Sequence, residues 1–143
     1  AAFERGSVDA WVIWDPFLAE VETNAKARQI RNAEGLVPHY TFYLASRKFA
    51  ENYPETAKQV VDELSQLSDW ANTHQEDAAG ILSTSTGLDK AIWLKALARL
   101  PYGAERMTPE VYNEQQALAD TFTRISLLPV KVDVRSATWS QDK

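Results

Sequence analysis

Trp14 and Asp15 are the residues of this 143-residue chain whose types and position point most directly to ligand binding. They follow an apolar run at residues 8–14, which is predicted to be a strand covered on both faces. In α/β domains small ligands bind beyond the carboxyl ends of such strands. An indole can cover an alkyl chain while its N–H donates a hydrogen bond to an anion. Core packing of Trp14 is the alternative interpretation.

Asp15 has a structural interpretation as well as a functional one. An aspartate before a helix accepts hydrogen bonds from free N–H groups of the first turn, and Pro16 suits that turn. We therefore favour a capping role for Asp15, with ligand contact as the alternative. Trp11 points to the opposite side of the predicted strand and is expected to lie in the core.

Phe42 is the third candidate, because it lies in an aromatic segment that is predicted to form a strand at residues 40–45. The two faces of that strand would carry Tyr40, Phe42 and Leu44 on one side and Thr41 and Tyr43 on the other. We favour Phe42 as an apolar wall for a ligand. A core position is the alternative for Phe42, and Thr41 or Tyr43 would replace it if the register is reversed.

The elements that must position these residues are predicted as strands first and helices afterwards. Strands are expected at residues 9–14, 27–31, 40–45 and 130–134. Helices are expected at residues 16–25, after Ser46, over about twenty residues from Pro54, at residues 76–82 and 89–100, and from Pro109 to about residue 125. Few short strands leave unpaired edges, so the order predicts an α/β domain with an incomplete sheet.

Composition excludes several function classes. A net charge of −5 without a basic cluster argues against a nucleic-acid partner, and the lack of cysteine excludes disulfides and thiolate metal sites. His39 and His74 have no metal-ligand spacing, and no glycine-rich phosphate loop, nucleophile elbow or HExxH motif is present. We predict no cofactor, no metal and no catalytic residue. The hydroxyls at residues 83–86 either bind an anion or form a polar loop between helices.

Three passages carry a resemblance to a known family: GSVDAWVIWDPF at residues 6–17, TFYLASRKFAENYPE at 41–55 and ADTFTRISLLPVKVDVRSATW at 119–139. They resemble the carboxyl-terminal half of periplasmic aliphatic sulfonate-binding proteins, which belong with the taurine- and nitrate-binding components of ABC importers. The resemblance implies a partial type II periplasmic-binding-protein-like fold. Residues 1–38 would be the remainder of the second α/β lobe, and residues 39–143 a crossover strand and a helix-rich return to the first lobe.

The resemblance also implies a function. The chain would be part of a periplasmic substrate-binding component that binds aliphatic sulfonates between two lobes, with Trp14 and Phe42 against the organic tail. Asp15 would repel a sulfonate unless a cation or a ligand amine lies between them. The implied partners are the sulfonate, the transporter permease, and the missing amino-terminal half or a second copy of the chain.

Two other functions remain open at this point. One is an enzyme of the thiamine-pyrimidine-synthesis-like branch of the same fold, although the histidine and cysteine residues used there are not supplied by this stretch. The other is the ligand-sensing lobe of a transcription regulator.

Overall fold

A computed structural model describes residues 1–36 and 40–139. The regular elements of these residues are helices: α1 (Phe17–Asn24), α2 (Arg47–Asn52), α3 (Pro54–Thr73), α4 (Gln75–Thr86), α5 (Lys90–Leu97), α6 (Pro109–Arg124) and α7 (Val134–Ala137). Each helix that the sequence predicts is present. Helix α4 extends four residues beyond its predicted end.

Capping residues in the sequence account for several helix starts. Ser46 before α2, Asp89 before α5 and Thr108 before α6 each accept a hydrogen bond from a first-turn N–H, at 3.2, 2.7 and 3.3 Å. Each bond satisfies a donor that has no partner within its own helix. Pro109 follows Thr108 in the first turn, where its missing N–H costs nothing. The start predicted for α6 is thereby confirmed.

The four predicted strands are not formed in the part of the chain that the structure describes. Val12, at the centre of the supposed buried strand, is 95% exposed, and Leu44 in the third segment is also exposed. Trp11 is 48% exposed, so its predicted core position is wrong. A strand requires hydrogen bonds to a neighbouring strand, and the described residues supply no such neighbour. The regular elements of the described residues are therefore helical, and the predicted sheet is not formed among them.

The described residues form two compact units that alternate along the chain. The first contains residues 1–32 and 66–103, and the second contains the described residues of 33–65 and those from 104 onward. The assignment of residues 1–38 and 39–143 to two lobes stays a prediction.

Helix α5 is central to the packing of the first unit. Ile92 and Ala96 of α5 pack on Ala19 of α1, and Leu97 packs with Ala78 and Ala79 of α4. Ala19 and Ala79 have no exposed surface. Small side chains at these contacts allow the helix backbones to approach closely, so α1 and α4 are both fixed to α5.

The second unit holds its carboxyl-terminal segment through a side chain. The Gln116 amide of α6 donates to the Val132 carbonyl at 2.8 Å and accepts from the Val134 N–H at 3.0 Å. The Arg135 guanidinium lies 4.5 Å from the centre of the Tyr112 ring. Part of the segment predicted as a strand at residues 130–134 is therefore bonded to a helix side chain.

Candidate ligand-binding site

Trp14 lies immediately before the first turn of α1, as the sequence predicts. Its carbonyl accepts a hydrogen bond from the Leu18 N–H at 3.0 Å, which ties its backbone to the helix. The side chain is 63% exposed and lies outside the buried clusters of the first unit. An exposed indole beside a helix start is free to contact a ligand, and this contact stays a prediction.

Asp15 accepts a hydrogen bond from the first turn of α1, as its favoured capping role predicts, although Pro16 and not Asp15 occupies the N-cap position. Its Oδ1 accepts a hydrogen bond from the Ala19 N–H at 3.0 Å. Its Oδ2 lies 3.6 Å from Nη1 of Arg99, which follows the end of α5. Both carboxylate oxygens therefore have partners of positive character, and a nearby cation partly neutralises the charge of Asp15.

Arg99 also joins Asp15 to two further charges. Its Nη2 donates to Oε2 of Glu22 in α1, and Nζ of Lys95 in α5 lies 2.9 Å from the same oxygen. We call Asp15, Glu22, Lys95 and Arg99 the ion-pair cluster. Its two acids and two bases balance in charge, and it joins α1 and the segment before it to α5 and the segment after it.

Glu22 is the least exposed member of the ion-pair cluster, with 14% of its side chain accessible. Burial by itself raises the pKa of a carboxyl group. Hydrogen bonds from Arg99 and Lys95 together with the two positive charges outweigh burial and lower the pKa of Glu22 below its ordinary value. Glu22 is therefore ionised near neutral pH.

Phe42 belongs to the second unit. Its ring lies 6.3 Å from that of Tyr40 and is exposed, but residues 40–45 do not form a strand, so the predicted strand faces do not apply. A hydrogen bond to Glu114 of α6 raises the pKa of Tyr40, with burial and the acidic charges adding to the effect. The predicted role of Phe42 as an apolar wall stays a prediction.

The hydroxyls at residues 83–86 are not in an open loop, because they lie in the last turn of α4. Ser83 donates to the Leu88 carbonyl at 2.7 Å, and Thr86 donates to the Leu82 carbonyl at 2.6 Å. Thr86 also accepts from Nε1 of Trp93 at 2.9 Å. The predicted polar loop is wrong here, and these bonds give the hydroxyls a structural role.

The described residues contain no cluster of three side chains suited to a metal ion, and no helix among them is both long and apolar enough to cross a membrane. His74 stacks on Trp70 at 5.3 Å. His39 lies outside the described residues.

Sequence reasoning missed Arg99, Glu22 and Lys95. Glu22 follows Asp15 by seven residues, which puts both on one side of α1. Nothing in the local sequence, however, indicates that Arg99, 77 positions beyond Glu22, meets both acids.

The chain is similar to solute-binding proteins in both structure and sequence. No family model matches the chain. The alkanesulfonate-binding protein SsuA of Xanthomonas axonopodis pv. citri, in a structure bound to MOPS, matches the fold with a TM-score of 0.85 and 34% sequence identity. The periplasmic aliphatic sulphonate-binding protein SsuA of Escherichia coli matches it with a TM-score of 0.87 and 30% sequence identity. They cover 96% and 97% of this chain, which spans 48% and 46% of theirs. The fold is thus that of part of a solute-binding protein.

The sequence relatives agree. Proteins named as aliphatic sulfonates-binding in Escherichia coli K12 and Bacillus subtilis 168 are 31% and 29% identical over 97% and 94% of this chain. The chain spans 44% and 41% of their lengths, which is less than half. The predicted resemblance to aliphatic sulfonate-binding proteins is confirmed. These relatives are binding proteins, in agreement with the prediction that the chain is not an enzyme.

Proposed function

We propose that this chain is the carboxyl-terminal part of the periplasmic substrate-binding component of an ABC importer for aliphatic sulfonates. The observation that carries the proposal is its likeness, at a TM-score of 0.85, to a protein whose structure is described as bound to MOPS. MOPS has a sulfonate group on an alkyl chain. An exposed indole can cover such a chain and donate its N–H to the sulfonate. The transporter permease would receive the ligand.

Within this proposal, Trp14 of the first unit and Phe42 of the second unit are each a contact for the organic part of the ligand. The exposure of both rings supports such contacts, because each retains apolar surface that a ligand could cover. Asp15 already accepts a hydrogen bond from α1 and pairs with Arg99, so it would contribute to the site mainly through the balance of charge.

The experiment is calorimetric unfolding of the chain with methanesulfonate, longer alkanesulfonates, taurine, nitrate and sulfate. A ligand at about 100 times its dissociation constant stabilises the folded state by about 2.7 kcal/mol, a rise in midpoint on the order of 10 °C for this size. We expect the largest rise with alkanesulfonates. The Trp14→Leu variant should lose most of this rise.

Trp11→Leu is the matched control, because Trp11 is an exposed tryptophan of the same segment whose ring lies 6.5 Å from Phe3. It should retain the ligand response. Equal losses in the two variants would contradict the role of Trp14, and the absence of any response in the wild-type chain would contradict sulfonate binding by it.

We also propose that the partner of this chain is a polypeptide equivalent to the half of the relatives that it does not span. The exposed apolar side chains of Val8, Val12 and Leu44, which have no role in the proposed ligand contacts, support this, because a packed partner would cover them. Light scattering and binding of a hydrophobic dye test it. A dimer would indicate a second copy as the partner, and a monomer with low dye binding at high concentration would contradict both partners.

A further inference from the structure

We infer that Arg99 determines ligand selectivity by neutralising Asp15, so that the site beside Trp14 favours sulfonates without an amine over amino-sulfonates. The inference rests on the proposed function. All of the residues involved belong to the first unit, so it requires nothing of the second.

The geometry leaves Asp15 little capacity for a ligand amine. Its Oδ1 is used by the Ala19 N–H at 3.0 Å, and its Oδ2 faces the Arg99 guanidinium at 3.6 Å. The Asp15 side chain is 24% exposed and that of Arg99 is 34% exposed, so both charges are partly accessible to solvent at the residue that follows Trp14 in the chain. An approaching sulfonate therefore encounters a neutral pair in place of a single negative charge.

Glu22 and Lys95 keep Arg99 in this position. Arg99 donates through Nη2 to Glu22 while Nη1 faces Asp15, so one planar guanidinium bridges a carboxylate of α1 and a carboxylate of the segment before it. Lys95 supplies a second positive charge to Glu22 at 2.9 Å, and no ion pair between Lys95 and Asp15 is found in the described residues. Lys95 and Arg99 therefore both contact Glu22, whereas Arg99 also contacts Asp15 and Lys95 does not.

Removal of Arg99 should weaken the preference for sulfonates without an amine. Without the guanidinium, Asp15 retains a negative charge that repels a sulfonate and attracts the ammonium group of taurine. Two unit charges a few ångströms apart near a protein surface interact strongly enough to change an affinity about tenfold. Ethanesulfonate is the matched ligand, because it differs from taurine by the amine alone.

The test measures the dissociation constants of ethanesulfonate and taurine by calorimetry for the wild-type chain and the Arg99→Met and Lys95→Met variants. The expected result is a preference for ethanesulfonate that falls about tenfold in Arg99→Met and persists in Lys95→Met. Circular dichroism verifies that each variant is folded.

Asp15→Asn provides a second variant, since its amide oxygen can still accept from the Ala19 N–H. In the Asp15→Asn background, Arg99→Met should leave the ratio of the two affinities unchanged, because the charge that Arg99 neutralises is gone. An unchanged ratio in Arg99→Met alone, with ethanesulfonate still bound, overturns the inference and leaves the proposed function standing. Absence of binding of either ligand by the wild-type chain overturns both.

Discussion

Replacement of Glu22 by glutamine should lower the free energy of unfolding by about 1–2 kcal/mol at pH 7. An exposed ion pair contributes about 0.2–1 kcal/mol. Glu22 makes two such pairs, and its own side chain is 14% exposed. Arg99 and Lys95 are 34% and 40% exposed, so water screens both pairs and keeps the loss below that of a fully buried pair.

The loss of unfolding free energy in Glu22→Gln should become smaller as the pH falls. The pKa of Glu22 is lower in the folded chain than its ordinary value of 4.5, so the folded state binds this proton less readily than the unfolded state. The contribution of Glu22 is therefore complete above about pH 4.5 and disappears as the pH falls through its folded-state pKa. Below that range Glu22→Gln should be nearly as stable as the wild-type chain.

Urea unfolding followed by far-ultraviolet circular dichroism, at pH 7 and in steps below about pH 4.5, measures this difference. Glu63→Gln is the control, because Glu63 is an exposed carboxylate of α3 with no ion pair among the described residues. Its effect on stability should be small at each pH. A loss in Glu22→Gln that is the same at both ends of the range, or a loss no larger than that of Glu63→Gln, would refute the reasoning.

Three further predictions concern packing, capping and exposed apolar surface. Ala79→Leu should cost about 1–3 kcal/mol in urea unfolding, because Ala79 has no exposed surface where α4 packs on α5, and the exposed Ala117→Leu should have little effect. Asp89→Ala should cost about 1 kcal/mol by losing the α5 cap, whereas Asp89→Asn should cost less; equal losses would contradict the capping role. Val12→Lys should reduce the binding of a hydrophobic dye, since Val12 is 95% exposed, and unchanged dye binding would show that this segment is not the exposed apolar surface.

Helix positions could be predicted from the sequence because their signals are local. Thr108 and Pro109 begin α6, and Asp89 caps α5, within a few residues of the chain that they organise. The position of Trp14 at a helix start and the capping role of Asp15 follow from the same kind of signal. The resemblance carried by three short passages was sufficient to predict the class of the relatives.

The tertiary structure determines whether the predicted strands form and which charged side chains meet around the candidate site. Val12 lies in a segment with strong strand propensity, yet a strand forms only when another strand pairs with its backbone, and the described residues offer none. Arg99 meets Asp15 and Glu22 only because Ala19, Ile92 and Ala96 bring α1 against α5. Sequence by itself determined where α2, α5 and α6 begin, since a cap acts over one turn, whereas α7 begins in a segment that the sequence predicts as a strand. Contacts between residues more than seventy positions apart depended on helix packing, which no local pattern specifies.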